Sequence, residues 1–371
     1  MRIGYDAKRA FNNHRGLGNY SRDTIRIIAT HFPDCQLELF TPKRDPSIRF
    51  DCPYNVDIIQ PSHTFMHSLW RTFGITKEAE KRHLDLYHGL SHELPVGIEK
   101  THIPTVVTMH DLIFIRHPEL YPFIDRKSYK IKYLRSCQVA DSIIAVSQQT
   151  KMDLIELWGI DEKKISVIYQ GCHPIFCQQV TESQKEKARK KYSLPETYLL
   201  NVGAIEPRKN QLLILKALKV GAISEPLVIA GRKTEYIAEL QQYIKEKKLQ
   251  SQVHILPNVD FNDLPALYQG ASIFVYPSMY EGFGIPIVEA LQSGLPVIAA
   301  KGSCLEESGG PSSRFVSPND EVELAEQIKI VLNNKELRNY MIQNGKAFAE
   351  KFSDKAIANN LMQLYQTLAK P

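Results

Sequence analysis

The segment EGFGIPIVE, residues 281–289, combines residue types that suit a sugar or phosphate site. It follows a predicted strand, and its proline predicts that a helix of about two turns opens there. Gly282 and Gly284 let the backbone approach a ligand closely, and the first N–H groups of the helix can bind hydroxyls or phosphate. We expect Glu281 and Glu289 to face this site a few ångströms apart. The alternative is that both acidic residues only favour the helix dipole.

Two adjacent cations, Arg208 and Lys209, follow another predicted strand in the sequence GAIEPRKN, residues 203–210. A guanidinium and an ammonium group placed after a strand and before a helix can clamp a diphosphate. We expect both side chains to be exposed, so that replacing either one leaves the fold intact. The alternative is an ordinary solvated turn.

A shorter glycine motif, Gly16-Leu-Gly18, lies between the first predicted strand and a helix expected over Tyr20–Ala29. The pattern is not the full G-x-G-x-x-G, because position 21 is Ser21, so a dinucleotide fingerprint is not supported. A glycine loop that covers a phosphate or a sugar fits this motif, and a tight turn is the alternative.

His110 and Asp111 end the predicted strand 105–111, where a polar pair is more typical of a site than of a core. His88 and His92 end another strand in the same half of the chain. Ligands of open α/β sheets bind at the carboxyl ends of strands, so these side chains are candidates for the same site. The alternative is a locally hydrogen-bonded loop histidine.

The elements that must position these residues alternate along the whole chain. Thirteen short β-branched runs, seven in the first half and six in the second, are separated by helical patterns. Continuous apolar runs suit parallel strands buried on both faces, which predicts a doubly wound α/β architecture. Because thirteen strands are many for one open sheet, we expect two domains, with a break near 173–195 and the site in the cleft between them.

Composition excludes several other classes of protein. The 371 residues are 43% apolar and 23% charged, as in an ordinary globular chain of about two domains. A net charge of +5 permits an anionic substrate and does not demand nucleic acid. The six cysteines form no C-x-x-C pair, which predicts reduced thiols. The sequence contains no G-x-S-x-G, no Walker motif and no clustered metal ligands.

Taken together and in order, the four motifs resemble the retaining glycosyltransferases of family 4, which have the GT-B fold. EGFGIPIVE resembles that family's E-x₇-E signature, and EPRKN its donor-phosphate motif. RGLGNY resembles its N-terminal glycine loop, and MHDLIFIRHPELY its HDL segment. The resemblance covers nearly the whole chain and is closest to bacterial mannosyltransferase-like members that build polysaccharides. One departure is Glu306, which stands where relatives usually have proline.

The resemblance implies an α/β protein of two Rossmann-like, doubly wound domains that face each other across a cleft. Residues 1–175 would form the acceptor-binding domain, and residues 190–352 the domain that binds the nucleotide-sugar donor. The final segment has helical apolar spacing, and in this fold the last helix, at about 353–371, crosses back onto the N-terminal domain.

The resemblance also assigns roles to single residues. Arg208 and Lys209 would neutralise the diphosphate as it leaves. Glu281 would position the donor hexose, and His110 would contact the sugar from the acceptor side. Glu289 would accept hydrogen bonds from the ribose, and the loop from Val259 to Leu264 would pack on the nucleobase. The remaining expected donor-binding residues are Gly16, Gly18, Phe283, Gly284 and Ile285.

The implied reaction is retaining transfer of a hexose, with mannose from GDP-mannose as the first choice. The acceptor would be a glycan or glycolipid in bacterial cell-surface polysaccharide biosynthesis. The nucleotide sugar is a substrate, and no cofactor or metal is expected in a front-face mechanism. The alternatives are a UDP-glucose or UDP-galactose transferase and a non-catalytic protein that binds a sugar nucleotide. A nicotinamide dehydrogenase is disfavoured because the glycine fingerprint is incomplete.

A basic amphipathic helix is predicted over residues 123–136, with five cations against the single carboxylate of Asp125. Such a helix can lie on an anionic bilayer, and the neighbouring residues 63–77 are a candidate mobile acceptor loop. No run approaches the ~18 apolar residues of a spanning helix, and the N-terminus lacks the apolar region of a signal peptide. We therefore expect a cytoplasmic protein, at most peripheral to the inner face of the membrane, with no nucleic-acid partner. The alternative is an ordinary surface helix and a soluble acceptor.

Overall fold

The computed structural model describes residues 1–53, 55–61 and 69–369. The chain forms two compact units. The first consists of Met1–Gly171 together with Ser353–Pro371, and the second of Cys172–Phe352. The segment 173–195, where the sequence predicts a break, therefore lies within the second unit.

The first unit is built on a seven-stranded parallel sheet in the order β3-β2-β1-β4-β5-β6-β7. Every one of the seven apolar runs predicted in this half contains a strand. Most of the strand residues are buried, which explains why the runs are continuously apolar. The strands are β1 Arg2–Asp6, β2 Gln36–Phe40, β3 Val56–Ile59, β4 Leu86–Gly89, β5 Thr105–Met109, β6 Ser142–Ala145 and β7 Ile165–Val167.

Helices connect these strands, as the right-handed crossovers of parallel sheets require. A π-helical segment, Trp70–Gly74, leads into one of them. Among the described residues of the first unit, the α-helices are Lys8–Asn12, Gly16–His31, Ile75–Lys81, Ile113–Arg116, Phe123–Val139, Gln148–Trp158 and Asp354–Leu368.

The last helix, Asp354–Leu368, packs against helix Gly16–His31, so the predicted return of the chain onto the N-terminal unit is confirmed. Its buried residues Leu361 and Tyr365 belong to the same hydrophobic cluster as the strands β1 and β2. At its start, the carboxylate of Asp354 accepts a 2.6 Å hydrogen bond from Nη1 of Arg26.

The second unit is built on a six-stranded parallel sheet in the order β10-β9-β8-β11-β12-β13. Again each predicted run contains a strand. The strands are β8 Leu199–Val202, β9 Leu227–Ala230, β10 Val253–Leu256, β11 Ile273–Tyr276, β12 Val297–Ala300 and β13 Arg314–Val316. The α-helices are Glu182–Tyr192, Gln211–Val220, Ile237–Glu246, Leu264–Gly270, Ile285–Gln292, Leu305–Gly309, Glu321–Asn333 and Lys335–Ala349.

One helix boundary differs from the prediction. The helix expected to begin at Tyr20 begins at Gly16, so the two glycines lie in its first turn and not in a preceding loop. A methyl group at Gly18 would lie 1.8 Å from the carbonyl oxygen of Asn13, so only glycine allows the chain to enter the helix this way.

Within the described residues, no disulfide joins any two of the six cysteines. Within residues 1–53, 55–61 and 69–369, no helix has the length and apolar character needed to cross a bilayer.

Candidate functional site

The carboxylate of Glu281 is the centre of a buried polar cluster in the second unit. It lies 2.7 Å from Nη1 of Arg208 and 2.5 Å from Nζ of Lys209. The hydroxyls of Ser278 and Tyr276 donate to the same carboxylate at 2.6 and 3.1 Å. Four donors from the ends of two neighbouring strands, β8 and β11, therefore surround one anion.

Arg208 and Lys209 are not exposed as the sequence analysis expected. Their side chains retain 17% and 12% of their accessible surface, because each is held by the Glu281 loop. Arg208 also donates to the carbonyl oxygen of Tyr280 at 2.6 Å and to the carboxylate of Glu206 at 2.7 Å. Lys209 donates to the hydroxyl of Tyr276 at 2.6 Å. The prediction that both side chains are exposed was wrong because it ignored a carboxylate that only the fold brings near.

The electrostatics of this cluster favour the charged forms of its acid and its guanidinium. Burial raises the pKa of Glu281, but Lys209 and Arg208 outweigh burial and hold this pKa at about 2. Burial lowers the pKa of Arg208, and the Glu281 and Glu206 charges more than reverse this, so its pKa lies above the ordinary value. The pKa of Lys209 is lowered by burial, which the Glu281 charge offsets only in part. The site therefore holds a carboxylate and a guanidinium that stay ionised throughout the physiological range.

The backbone around the cations is fixed by one residue in a left-handed conformation. Asn210 has φ of 57°, a value that asparagine tolerates better than most residues. Its side chain donates to the carbonyl oxygens of Pro318 at 2.7 Å and Pro277 at 3.2 Å. The turn that carries the cations is thereby tied to loops after two other strands.

The loop that carries Glu281 depends on Gly284. Its φ is 110°, and a methyl group there would lie 2.8 Å from the hydroxyl oxygen of Ser308. Gly284 precedes helix Ile285–Gln292, and Gly294 follows the helix with φ of 75°. The predicted two-turn helix and its terminal glycine are confirmed.

Glu289 has different neighbours from Glu281. It accepts a 2.7 Å hydrogen bond from the hydroxyl of Tyr268, which lies in helix Leu264–Gly270. The two glutamates thus lie at the two ends of one short segment, and Tyr268 donates to the second of them. Their expected roles toward hexose and ribose remain predictions.

The remaining predicted donor residues of the second unit lie at the carboxyl edge of its sheet, whereas Gly16 and Gly18 lie in the first unit. Phe283 is buried and its ring packs edge-on against Phe352 at 5.3 Å. Ile285 begins the helix beside it. Val259 and Leu264 are half-buried and lie in the connection after β10. The structure therefore gathers these side chains after the ends of parallel strands, where ligands of such sheets bind.

The unusual residue Glu306 has a local structural role. It lies in the short helix Leu305–Gly309, and its carboxylate accepts a hydrogen bond of 3.2 Å from the N–H of Gly302. A carboxylate near a helix N-terminus is favourable, and this one also closes the preceding turn. With Glu306 in place of proline, the loop is therefore ordered by a side-chain hydrogen bond.

In the first unit, His110 has protein partners at both ring nitrogens. Its Nε2 lies 3.0 Å from the carbonyl oxygen of Leu90, which can only accept, so Nε2 carries the hydrogen. Its Nδ1 accepts from the side-chain amide of Gln170 at 3.2 Å. The ring is buried, and Tyr20 packs edge-on against it at 4.5 Å. A sugar that contacts His110, as predicted, would have to replace or join one of these partners.

His88 and His92, the weaker candidates, are also buried. Nε2 of His92 accepts from the backbone N–H of His110 at 3.1 Å, which fixes His92 as a neutral ring. His88 lies 2.7 Å from both the hydroxyl of Tyr365 and that of Thr108. The three histidines thus form part of one buried polar region, and His88 links the last helix to the sheet.

Sequence reasoning missed a charged cluster at the carboxyl end of β1. The side chain of Arg71 donates to Asp6 at 2.6 Å and to Glu93 at 2.9 Å. Asp6 is the last residue of β1, and Glu93 follows His92 after β4. The signal that was available is the position of Asp6 at a strand end, but nothing local predicts its partner Arg71.

The basic helix is present as Phe123–Val139. Phe123, Ile124 and Ile131 have 60%, 79% and 71% of their surface exposed, and Lys127 and Lys130 are exposed beside them. The predicted acceptor loop spans residues 63–77, and its residues 63–68 lie outside the described residues.

Most of the chain is similar to known glycosyltransferases. A family model described as "Glycosyl transferases group 1" matches residues 183–348, and one described as "Glycosyltransferase Family 4" matches residues 16–174. The O-antigen chain mannosyltransferase B of Escherichia coli is 30% identical over 289 residues, which cover 76% of this chain and 74% of that protein. The O-antigen chain mannosyltransferase RfbU of Salmonella typhimurium is 31% identical over 275 residues, 73% and 71% of the two chains. A solved structure of sucrose-phosphate synthase from Thermosynechococcus elongatus has the same fold, with a TM-score of 0.80 and 21% identity over 99% of each chain.

Proposed function

Because this chain belongs to the group 1 glycosyltransferases, hexose-transferring enzymes of the GT-B fold, we propose that it transfers mannose from GDP-mannose with retention of configuration. The observation that carries the proposal is the buried cluster of Glu281 with Arg208 and Lys209. The two relatives named as O-antigen chain mannosyltransferases support mannose as the sugar and a cell-surface polysaccharide as the product.

Arg208 and Lys209 stabilise the charge that develops on the departing diphosphate. The bond between the anomeric carbon and the phosphate oxygen breaks, and its electron pair goes to that oxygen. Cations that are already fixed in position stabilise this charge without reorganising in the transition state. Arg208 is held by hydrogen bonds to the carbonyl oxygen of Tyr280 and to the carboxylates of Glu206 and Glu281. Lys209 is held by Glu281 and Tyr276. These two side chains supply the positive charge, so the proposed reaction needs no divalent metal.

Glu281 orders the cations and faces the hexose. With a pKa of about 2 it cannot hold a proton near neutral pH, so it is not the group that accepts the acceptor's proton. In a front-face reaction the acceptor hydroxyl attacks on the side from which the diphosphate leaves, and its proton passes to the departing phosphate oxygen. An ionised Glu281 beside the reacting carbon stabilises the positive charge of an oxocarbenium-like transition state.

The helix Phe123–Val139 supports contact with an anionic membrane as part of this function. Phe123, Ile124 and Ile131 expose apolar surface, and Lys127 and Lys130 lie among them. An apolar face flanked by exposed cations fits the interface of an anionic bilayer. The proposed acceptor is therefore a lipid-linked glycan at such a surface.

The donor is tested with a panel of GDP-mannose, UDP-glucose and UDP-galactose, each supplied with EDTA. Release of nucleoside diphosphate from GDP-mannose, well above the release from both UDP sugars, is the expected result. The anomeric configuration of the product, read by NMR, should be that of the donor. Preferential use of a UDP sugar would replace the donor assignment and leave the family unchanged.

A further inference from the structure

A small polar cavity lies at the carboxyl ends of β1 and β4 in the first unit. Its volume is about 70 Å³. One ordered water needs only ~10–15 Å³ of such space, so the cavity has room for more than one polar group. Its walls include the side chains of Asp6, Arg71, Tyr87 and Glu93.

The positive charge of Arg71 in this cavity is neutralised by two carboxylates. Nη2 of Arg71 donates to Asp6 at 2.6 Å, and Nη1 donates to Glu93 at 2.9 Å. The Arg71 side chain is 11% exposed, and the Asp6 side chain 3%. Two carboxylates therefore face the guanidinium of Arg71, while Lys132 and Arg135 also line the cavity. Arg71 itself lies in a π-helical segment, a rare geometry that is frequent at functional sites.

Two polar groups in the cavity remain unused. Tyr87 is fully buried, and its hydroxyl has no hydrogen-bond partner among the described residues. In the same part of the chain, Glu93 is bonded to Arg71 through Oε2 alone, which leaves Oε1 to accept. A buried hydroxyl without a partner is costly, so this arrangement is completed by a ligand with hydroxyl groups. A hydroxyl can accept from Tyr87 and donate to Glu93.

We propose that the cavity formed by Asp6, Arg71, Tyr87 and Glu93 is a subsite for a hydroxyl group of the acceptor carbohydrate. The proposal deepens the proposed function, and it rests on that function for identifying the carbohydrate as the acceptor. It identifies the ligand as a hydroxyl-bearing sugar and not a phosphate, because one hydroxyl can accept from Tyr87 and donate to Glu93, whereas an ionised phosphate oxygen can only accept.

The place of the cavity in the first unit suits this role. Glu93 directly follows His92, whose Nε2 accepts from the backbone N–H of His110. The cavity and the histidine expected on the acceptor side therefore share one edge of one sheet.

The test uses the full chain and methyl α-D-mannopyranoside, methyl α-D-glucopyranoside and methyl α-D-galactopyranoside as probes, with saturation-transfer NMR as the readout. In Glu93→Gln the amide oxygen can keep the bond to Arg71. The amide nitrogen then takes the place of Oε1, so a hydrogen-bond donor replaces a hydrogen-bond acceptor. We expect this variant to weaken binding of the preferred glycoside about tenfold. Tyr87→Phe removes only the hydroxyl, and we expect a loss of about fivefold. Glu162→Gln, an exposed carboxylate of the same unit that pairs with Lys151, is the control and should bind like the wild type.

The proposal is overturned if none of the three glycosides binds the wild type, or if Tyr87→Phe and Glu93→Gln bind as the wild type does. Displacement of the glycoside by inorganic phosphate would also overturn it, because the site would then prefer an anion. GDP binding, measured in parallel by calorimetry, separates the two proposals. Failure of GDP binding with intact glycoside recognition removes the donor assignment and leaves the subsite standing.

Discussion

The carboxylate of Glu281 lies 2.7 Å from Nη1 of Arg208, although the two residues follow different strands of the second sheet. The same guanidinium bonds the carbonyl oxygen of Tyr280 and the carboxylate of Glu206, so its plane is fixed from three sides. A cation held in this way is both part of the proposed chemistry and part of the packing. Its replacement should therefore affect activity and stability together.

Replacing Arg208 or Lys209 with alanine should lower turnover by about 10²-fold or more, as loss of one preorganised charge contact typically does. The melting temperature should also fall, because each change removes a partner of a buried carboxylate. Steady-state kinetics and thermal melts measure both effects. Lys219→Ala, an exposed cation on the following helix, is the control and should change neither. Wild-type turnover in both cation variants would contradict the assigned role.

Replacing Glu281 with glutamine should lower turnover by a similar factor and leave Arg208 and Lys209 without a charged partner from this loop. In the wild type the folded pKa of about 2 lies below the ordinary value of 4.5. The stability contributed by the Glu281 charge is therefore present above pH 4.5 and is lost as the pH falls toward 2. Chemical unfolding measured across this window should show a smaller acid dependence in Glu281→Gln than in the wild type. An equal acid dependence would show that the ion pair does not stabilise the fold.

The activity should persist when a chelator is present in excess. The proposed reaction relies on two fixed side-chain cations for its positive charge, so removal of divalent ions leaves the transition state stabilised. Turnover of the best donor is compared with and without EDTA after dialysis. Complete loss with EDTA, followed by recovery with Mg²⁺ or Mn²⁺, would require a metal in the mechanism.

The three buried histidines should make the protein less stable in mild acid. Burial lowers the pKa of His88 to about 3 and that of His110 to about 4, and it lowers the pKa of His92 as well. Unfolded histidine titrates near pH 6.5, so below this pH the unfolded state binds more protons. The free energy of unfolding should therefore fall as the pH drops from 6.5, by about 1.4 kcal/mol per pH unit for each such group. Denaturant titrations at pH 7.5, 6.5 and 5.5 measure the slope.

His110→Gln serves as the comparison for that slope. The variant lacks one of the three groups, so its stability should depend less steeply on pH even if its absolute stability is lower. A slope unchanged by the substitution would mean that His110 is not neutral in the folded protein.

The exposed face of helix Phe123–Val139 should bind anionic vesicles. Each exposed cation near such a surface contributes about 1 kcal/mol, so binding should be weak and should fade with added salt. Flotation with phosphatidylcholine vesicles, with and without phosphatidylglycerol, tests this. Lys127→Glu with Lys130→Glu should abolish the binding, and Lys219→Glu with Lys245→Glu, on exposed helix positions of the second unit, should not. Absence of binding at low salt would point to a soluble acceptor.

The sheet architecture follows from local patterns, because a parallel strand buried on both faces needs a continuous apolar run and little else. The thirteen strands of the described residues were predictable for this reason, and the helix after Gly284 was predictable from its proline. The positions of the four motifs in the fold were predictable as well, because each motif follows the end of a predicted strand. Partners across the sheet were not predictable. Nothing near Lys209 in the sequence indicates that Glu281, 72 residues away, bonds its ammonium group.

The Asp6–Arg71–Glu93 cluster shows the same limit. Asp6 and Arg71 are 65 residues apart, and neither lies in a recurring motif. The start of helix Gly16–His31 was missed for another reason. Glycine at positions 16 and 18 is typical of a loop, and only the close approach of the Asn13 carbonyl shows why the helix needs Gly18.

The return of helix Asp354–Leu368 to the first unit also sets an order for folding during synthesis. The core around β1 and β2 is made early, but Ile357, Leu361 and Tyr365, which complete it, are translated only after the whole second unit. Ribosomes add ~5–20 residues per second, so the intervening second unit delays these side chains by roughly 10–40 s. During that interval the nascent first unit exposes the apolar surface that this helix will cover. Until helix Asp354–Leu368 has left the ribosome, that apolar surface is accessible to chaperones and to other nascent chains.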